Sequence, residues 1–285
     1  MTDAMKKIVY AYLAAIVAGA ITIALVEGSS LWKAFLGDLV ATIVIFGFSR
    51  AYKNSSFYDA YWSVIPPLLA IYWAAAAQPG IAPPRQWLVF SLVTLWAARL
   101  TWNWASHWSG LNHEDWRYGP LREKAGPFAI LVDFFGIHLF PTLQVFAGCL
   151  PLYAAMHLGT EPFGWLDWLA AAVTLGAISI ETIADIQLHR FLARRQPGDI
   201  INTGLWSWSR HPNYFGELSF WWGLGLFGLA AWPQGWWWQL TGAVLMSAMF
   251  VFASIPMMDK RSQERRPAYA EHMKKVSALI PLPPK

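Results

Sequence analysis

Between Thr203 and Trp222 the chain reads TGLWSWSRHPNYFGELSFWW, which places Arg210, His211, Asn213, Tyr214 and Glu217 within a few residues of one another. The guanidinium fork of an arginine such as Arg210 can grip a phosphate bidentately. Pro212 fixes the backbone where a helix would start, and Asn213 and Glu217, four apart, share one face of that helix. The run has more hydrogen-bonding capacity than a helix cap uses. A second group lies upstream, where Glu181 and Asp185 are also four apart and share a face, and His189 and Arg190 continue beyond them. These residues could form an interfacial salt-bridge ladder or offer acceptors to a ribose or an amide. Steps of four through Glu181, Asp185 and His189 also resemble metal-ligand spacing. Neither a thiolate nor a second histidine is paired with them in sequence, so no metal site is expected.

The surroundings of these residues are apolar. Of 285 residues 56% are hydrophobic and 13% charged, against about a quarter charged in a soluble domain, which argues against an ordinary cytosolic enzyme. The apolar and aromatic content is equally far from that of a disordered chain. A membrane protein remains, and 19 tryptophans suit the headgroup boundary, where an indole is apolar on one side and wet on the other. The single Cys149 can build neither an intrachain disulfide nor a thiolate metal cluster. The net charge of +4 is explained by positive charge at bilayer edges, and no nucleic-acid partner is expected.

Apolar runs long enough for ~30 Å of hydrocarbon predict an all-α, polytopic membrane bundle of seven or eight transmembrane helices. The spans are Ile8 to Val26, Leu31 to Phe48, Tyr61 to Ala77, Gln86 to Trp104, one within Phe128 to Leu158, Pro162 to Gln187, Phe215 to Trp232, and Trp236 to Met257. The third is expected to be broken by Pro66 and Pro67, and the fifth, with Asp133, His138, Pro141 and Pro151, to be kinked or tilted. Alternate connections hold 18 of the 21 Lys and Arg residues; Lys33 and Arg85 fall on the other side and Arg99 inside a span. This partition predicts an even number of crossings with both termini cytoplasmic. The first span is too long for a signal-peptide core and no clear cleavage site follows it, so it is expected to be retained. No separate soluble domain is expected. Residues 1–285 read as one transmembrane domain, with N-terminal spans over 1–50 and a catalytic bundle with cytoplasmic loops over 51–285.

Gly223, Gly225 and Gly228 match G-x-G-x-x-G, but they lie inside an apolar span and not between a strand and a helix. The geometry that aims amides at a pyrophosphate is therefore missing. Close helix packing by small residues is the expected role.

The stretch Gly204-Leu-Trp with Ser209-Arg-His-Pro-Asn-Tyr-Phe-Gly-Glu217, together with the tail ending Ala278-Leu-Ile-Pro281, resembles the steroid 5α-reductase family of membrane NADPH-dependent reductases, including its bacterial branch. The resemblance covers roughly the last two thirds of the chain. Related stretches occur in sterol reductases and isoprenylcysteine methyltransferases. Carried over, it implies that Arg210, His211, Asn213, Tyr214 and Glu217 belong to an NADPH pocket and that Asp185 contacts the adenosine or ribose side. It further implies phosphate roles for Arg194 and Arg195 before Pro197-Gly198, for Arg117 in Asp115-Trp-Arg-Tyr118, and for Arg261 in the tail. Several arginines suit this cofactor because pyrophosphate plus a 2′-phosphate brings about four negative charges.

At the substrate end, the family's Gln-Glu pair before a proline falls on Tyr58 and Asp59, counting back from Pro66. Its tyrosine falls on Trp96, counting from Arg99. Asp59 or Tyr58 would supply the acid; an indole such as Trp96 donates a hydrogen bond but cannot give a proton to an enolate. The expectation is a monomeric enzyme of the bacterial inner membrane. It would transfer hydride from NADPH to the β-carbon of a conjugated enone in a steroid-like substrate, a 3-oxo-Δ4 steroid first, entering from the bilayer lipid. The alternative is an S-adenosylmethionine-dependent lipid or prenyl-cysteine methyltransferase, whose cofactor has no phosphate and needs none of these arginines.

Overall fold

The computed structural model describes residues 1–284, and among these it is an all-helical membrane bundle without named strands. The long helices are α1 (Asp3–Leu25), α2 (Ser30–Ala51), the single turn α3 (Ser56–Asp59), α4 (Tyr61–Ala75), α5 (Pro83–His107), α6 (Tyr118–Gly148), α7 (Trp165–Leu192), α8 (Pro212–Ala231), α9 (Pro233–Arg265) and the short α10 (Tyr269–Lys275). Five of them, α1, α2, α6, α7 and α9, are long and apolar enough to cross a membrane. The other expected spans coincide with α4, which is apolar but only 15 residues long, and with α5 and α8, which are richer in Trp, Gly or polar residues.

Local chemistry sets the helix boundaries. Thr2 and Ser29 cap α1 and α2, their hydroxyls accepting from the Met5 and Trp32 amides at 3.2 Å. Pro83 and Pro212 occupy first helical positions, where a missing N–H costs nothing. Three expectations are corrected. Pro66 and Pro67 do not break the third span, because α4 runs through both, as membrane helices packed among neighbours tolerate proline. The irregular fifth region absorbs its prolines through π-helical turns at Val132–Leu139 and Ala154–Leu158, on either side of a break at Cys149. The last helix continues eight residues past Met257 to Arg265, so that Asp259, Arg261 and Arg265 ride on it.

One end of the bundle gathers the basic connections. There Asn54 donates to the Leu111 and His113 carbonyls at 2.8 and 3.1 Å, Arg122 and Arg50 both reach Asp133, and Ser209 meets the tail at Ser277. Residues near the N-terminus lie against Ser109 to Asn112, so both ends of the chain share this face. The opposite end is closed by Arg85, fully buried, which forks onto Asp167 at 2.6 and 2.8 Å and donates to the carbonyls of Glu161, Pro162 and Ala230. That clamp explains a basic residue on the sparsely charged side: its charge is spent on internal acceptors.

Helices α7 and α8 pack closest, through glycine. A Cβ at Gly216 would stand 2.8 Å from the Glu181 Cβ, and one at Gly223 would collide with Thr174. The apparent dinucleotide motif thus serves helix contact, as the sequence implied.

Candidate functional site

Where α5, α7 and α8 meet, the bundle encloses a polar cluster. Trp96 and Trp221 direct their indole N–H groups to the two oxygens of Glu217 at 3.1 and 2.8 Å. Trp96 is wholly buried and stacks on Phe220, centroids 4.3 Å apart. Beside them Arg99 pairs with Glu181 and, at 2.8 Å, with Asp185, which also accepts from Asn103 at 3.1 Å. The Glu181 and Glu217 carboxyls lie near each other, and one Glu181 oxygen is buried without a hydrogen-bond partner. Two carboxyl groups therefore share one guanidinium inside the bundle, with the third, Glu217, held beside them by indoles, an arrangement that is costly in apolar surroundings and is usually kept for function. The reason Glu181 and Asp185 face inward is the shared helical stripe; the reason they meet Glu217 is the close approach at Gly216.

The Arg210 stretch takes a different place. Its guanidinium donates to Asp259 at 3.3 and 2.7 Å and to the Val276 and Met273 carbonyls at 2.6 and 3.2 Å. His211 meets the same carboxylate at 3.0 Å, and the Tyr269 phenol donates to it, also at 3.0 Å. Arg210, expected at a phosphate, is thus engaged in tying the start of α8 to α9 and the tail. Asn213 and Tyr214 are half-buried beside it: Tyr214 stacks on the buried His211 at 5.2 Å and Asn213 accepts from the Tyr214 amide at 3.1 Å.

The remaining arginines come together in two overlapping groups. Arg117 forks onto Asp115 at 2.8 and 2.9 Å, holding that acid below its usual range against the opposing effect of burial. Arg261 lies over the Trp116 ring at 3.3 Å, close to Arg117 and Arg265. Arg266 faces Arg195 and Arg265 and donates to the Asp199 carbonyl at 3.2 Å. Burial and these two like charges hold Arg266 below its ordinary value. Arg194 is exposed beside Arg195.

Tyr58 and Asp59, adjacent in sequence, point to different places. Tyr58 is buried, its phenol 2.8 Å from the Thr142 hydroxyl, which in turn meets Thr42 at 2.9 Å. Asp59 faces a cavity of about 370 Å³ at the basic end and accepts from the Tyr118 phenol at 2.8 Å. Burial raises its carboxyl to about 6 even though that phenol favours the ionised form. The three residues expected at the substrate therefore occupy three environments, with Trp96 in the α5–α7–α8 cluster.

Sequence reasoning passed over Asp259, Asn103, Asp38, Arg265 and Arg266. Asp38 had a usable signal, an acid in the middle of an apolar span; in the fold it accepts from the Tyr61 phenol at 3.4 Å. Asp259 had none, since its partners lie 48 and 49 positions away.

The family model for the protein of unknown function DUF1295 matches residues 45–276. An uncharacterized protein of Schizosaccharomyces pombe, C594.04c, is 29% identical over 262 residues, covering 84% of this chain and 76% of its own. No solved structure matches. The matched region takes in the α5–α7–α8 cluster, the arginine groups and Asp259, and the chain is a member of the DUF1295 family.

Proposed function

We propose that the protein is a membrane reductase that uses NADPH to reduce a conjugated enone in a lipid-like substrate, a 3-oxo-Δ4 steroid being the first candidate, and that its basic end faces the cytoplasm of a bacterial inner membrane. The observation that carries this reading is the crowding of Arg195, Arg261, Arg265 and Arg266, drawn from two separated segments, beside Arg117, whose own charge Asp115 balances. Like charges crowd in this way at a cost that a polyanion removes. S-adenosylmethionine carries no phosphate and would leave that repulsion in place. The likeness of the Ser209–Glu217 stretch to the 5α-reductases adds support from an independent direction.

NADPH, when bound, supplies the hydride. The chain's own residues divide the remaining work. Arg117 and Arg261 flank Trp116 and would hold phosphate there, while Arg195, Arg265 and Arg266 would hold it on the adjoining surface. The three carboxyls around Arg99 offer acceptors to hydroxyl or amide donors. Tyr58 and Asp59 are the two acids available to the carbonyl oxygen of the substrate, and either would stabilise the charge that develops there. Trp96 donates to Glu217 and orients it.

Nucleotide binding to purified protein in detergent tests the proposal. Wild type is expected to bind NADPH, and Arg117→Ala, Arg261→Ala and Arg266→Ala each to weaken it about ten- to hundredfold. Failure of wild type to bind NADPH, or equal binding by all four proteins, overturns it.

A further inference from the structure

The face that collects nearly all the Lys and Arg residues contains a cavity lined by none of them. This cavity, about 370 Å³, lies between the start of α4, the ends of α5 and α7, and the loop before α6. Three indoles line it, from Trp62, Trp104 and Trp108, and the last two stack on each other with centroids 5.0 Å apart. Its acids are Asp59 and Asp115. Asp115 is neutralised by the Arg117 fork, whereas Asp59 has only the neutral Tyr118 phenol as a hydrogen-bonding partner at 2.8 Å.

An anion would meet a carboxylate and indole faces here, and nothing in the lining to neutralise it. A cation would meet complementary charge. Indole faces attract cations through the ring quadrupole, and aromatic walls around a carboxylate are a favourable setting for alkylated ammonium groups. The cavity also holds the imidazoles of His107, His113 and His189, of which His107 and His189 stack with centroids 3.7 Å apart. Neutral imidazole nitrogens accept N–H donors. We infer that this cavity is a binding site for an organic ammonium group, with Asp59 as counter-ion and Trp104 as the principal aromatic wall. The inference is independent of the arginine groups, which lie outside the cavity, and it assigns Asp59 to the ammonium, leaving Tyr58 as the acid of the reductase reading.

The dependence on pH follows from the groups around Asp59. Ser56 and Tyr118 are neutral, Asp115 and Arg117 compensate each other, and the other polar groups of the lining are the imidazoles of His107, His113 and His189. Asp59 loses its charge as pH falls through about 6. That loss weakens cation binding in acid.

Radiolabelled choline, measured by equilibrium dialysis against the full-length protein in a non-ionic detergent, tests the site. Saturable binding is expected, reduced at least about tenfold by Asp59→Asn and by Trp104→Ala, and unchanged by Trp87→Ala, which alters an exposed indole outside the cavity. A short-chain alkyltrimethylammonium competitor distinguishes the source of the ammonium: stronger competition than by choline assigns a lipid headgroup, and equal competition assigns a soluble amine. Should Asp59→Asn fail to fold, wild-type binding alone decides, because it must fall between about pH 7.5 and about pH 5. No saturable choline binding to wild type, equal binding by a folded Asp59→Asn, or binding that is constant across that pH range overturns the inference. Loss of NADPH binding with choline binding intact would overturn the reductase reading alone.

Discussion

Arg210 and Asp259, 49 positions apart, close a two-pronged ion pair that fixes the loop before α8 to the last long helix. His211 and Tyr269 complete the shell of this carboxylate, and the remaining Arg210 donors hold the tail at Met273 and Val276. A residue of the motif thereby organises the face on which the arginines collect.

Removing one partner of this buried pair leaves the other charge uncompensated, at a cost of about 3–5 kcal/mol. Asp259→Ala and Arg210→Ala are each expected to lower the thermal midpoint in detergent, and Asp259→Asn to do so less. A midpoint equal to wild type for both alanine variants would show that the pair does not hold the tail.

The clamp at the other end provides a contrast. Asp167→Ala strands the fully buried Arg85 guanidinium and is expected to destabilise by a similar amount, about 3–5 kcal/mol. Its effect on nucleotide affinity in the protein that remains folded should be negligible, since the arginine groups lie at the basic end. Scanning calorimetry paired with a nucleotide titration separates the two readouts.

Asp59 gives a pH signature with a definite sign. Burial raises its carboxyl to about 6, above roughly 3.9 for a free aspartate. The folded state thus favours the protonated acid, and the associated stability is complete below the unfolded value and lost as pH rises through about 6. Asp59→Asn, which keeps the uncharged form, is expected to match the wild-type thermal midpoint near about pH 4 and to exceed it near about pH 8. A difference of the same size at both pH values would contradict this assignment.

Orientation can be checked directly. Because the N-terminal residues and the tail share the basic end while Glu161 lies at the other, reporters fused to the C-terminus and inserted near Glu161 should localise to opposite compartments, the first cytoplasmic. Both reporters in one compartment would contradict the topology.

Much of the architecture was legible in the sequence because hydropathy is local. Hydrocarbon rewards an uninterrupted apolar run and penalises an unsatisfied backbone, so run length alone yields the helices and their approximate ends. The alternation of basic connections anticipated that Lys6, Arg50, Arg117, Arg195 and Arg261 would share one face. The inward stripe of Glu181 and Asp185 followed from the helical repeat, and the packing role of Gly223 from its apolar setting. Pro66 and Pro67 misled, because a rule for isolated helices takes no account of the packing around α4, which runs through both.

Partner choice was beyond the sequence. Arg210 has the same fork whether it meets a phosphate or Asp259, and only the path of α9 past Met257 puts that carboxylate within reach. Tyr58 and Asp59, neighbours in the chain, separate into the hydroxyl network of Thr142 and the cavity of Trp104 because successive residues on a helix diverge by about 100°. Glu217 stands beside Glu181 because Gly216 lets α8 approach α7 to contact distance, and Trp96 and Arg99 reach Glu217 and Asp185 because α5 packs alongside. Side-chain chemistry and helical phase are written residue by residue. Which charge neutralises which depends on distances of a few ångströms between helices, and these are set only when the whole bundle packs.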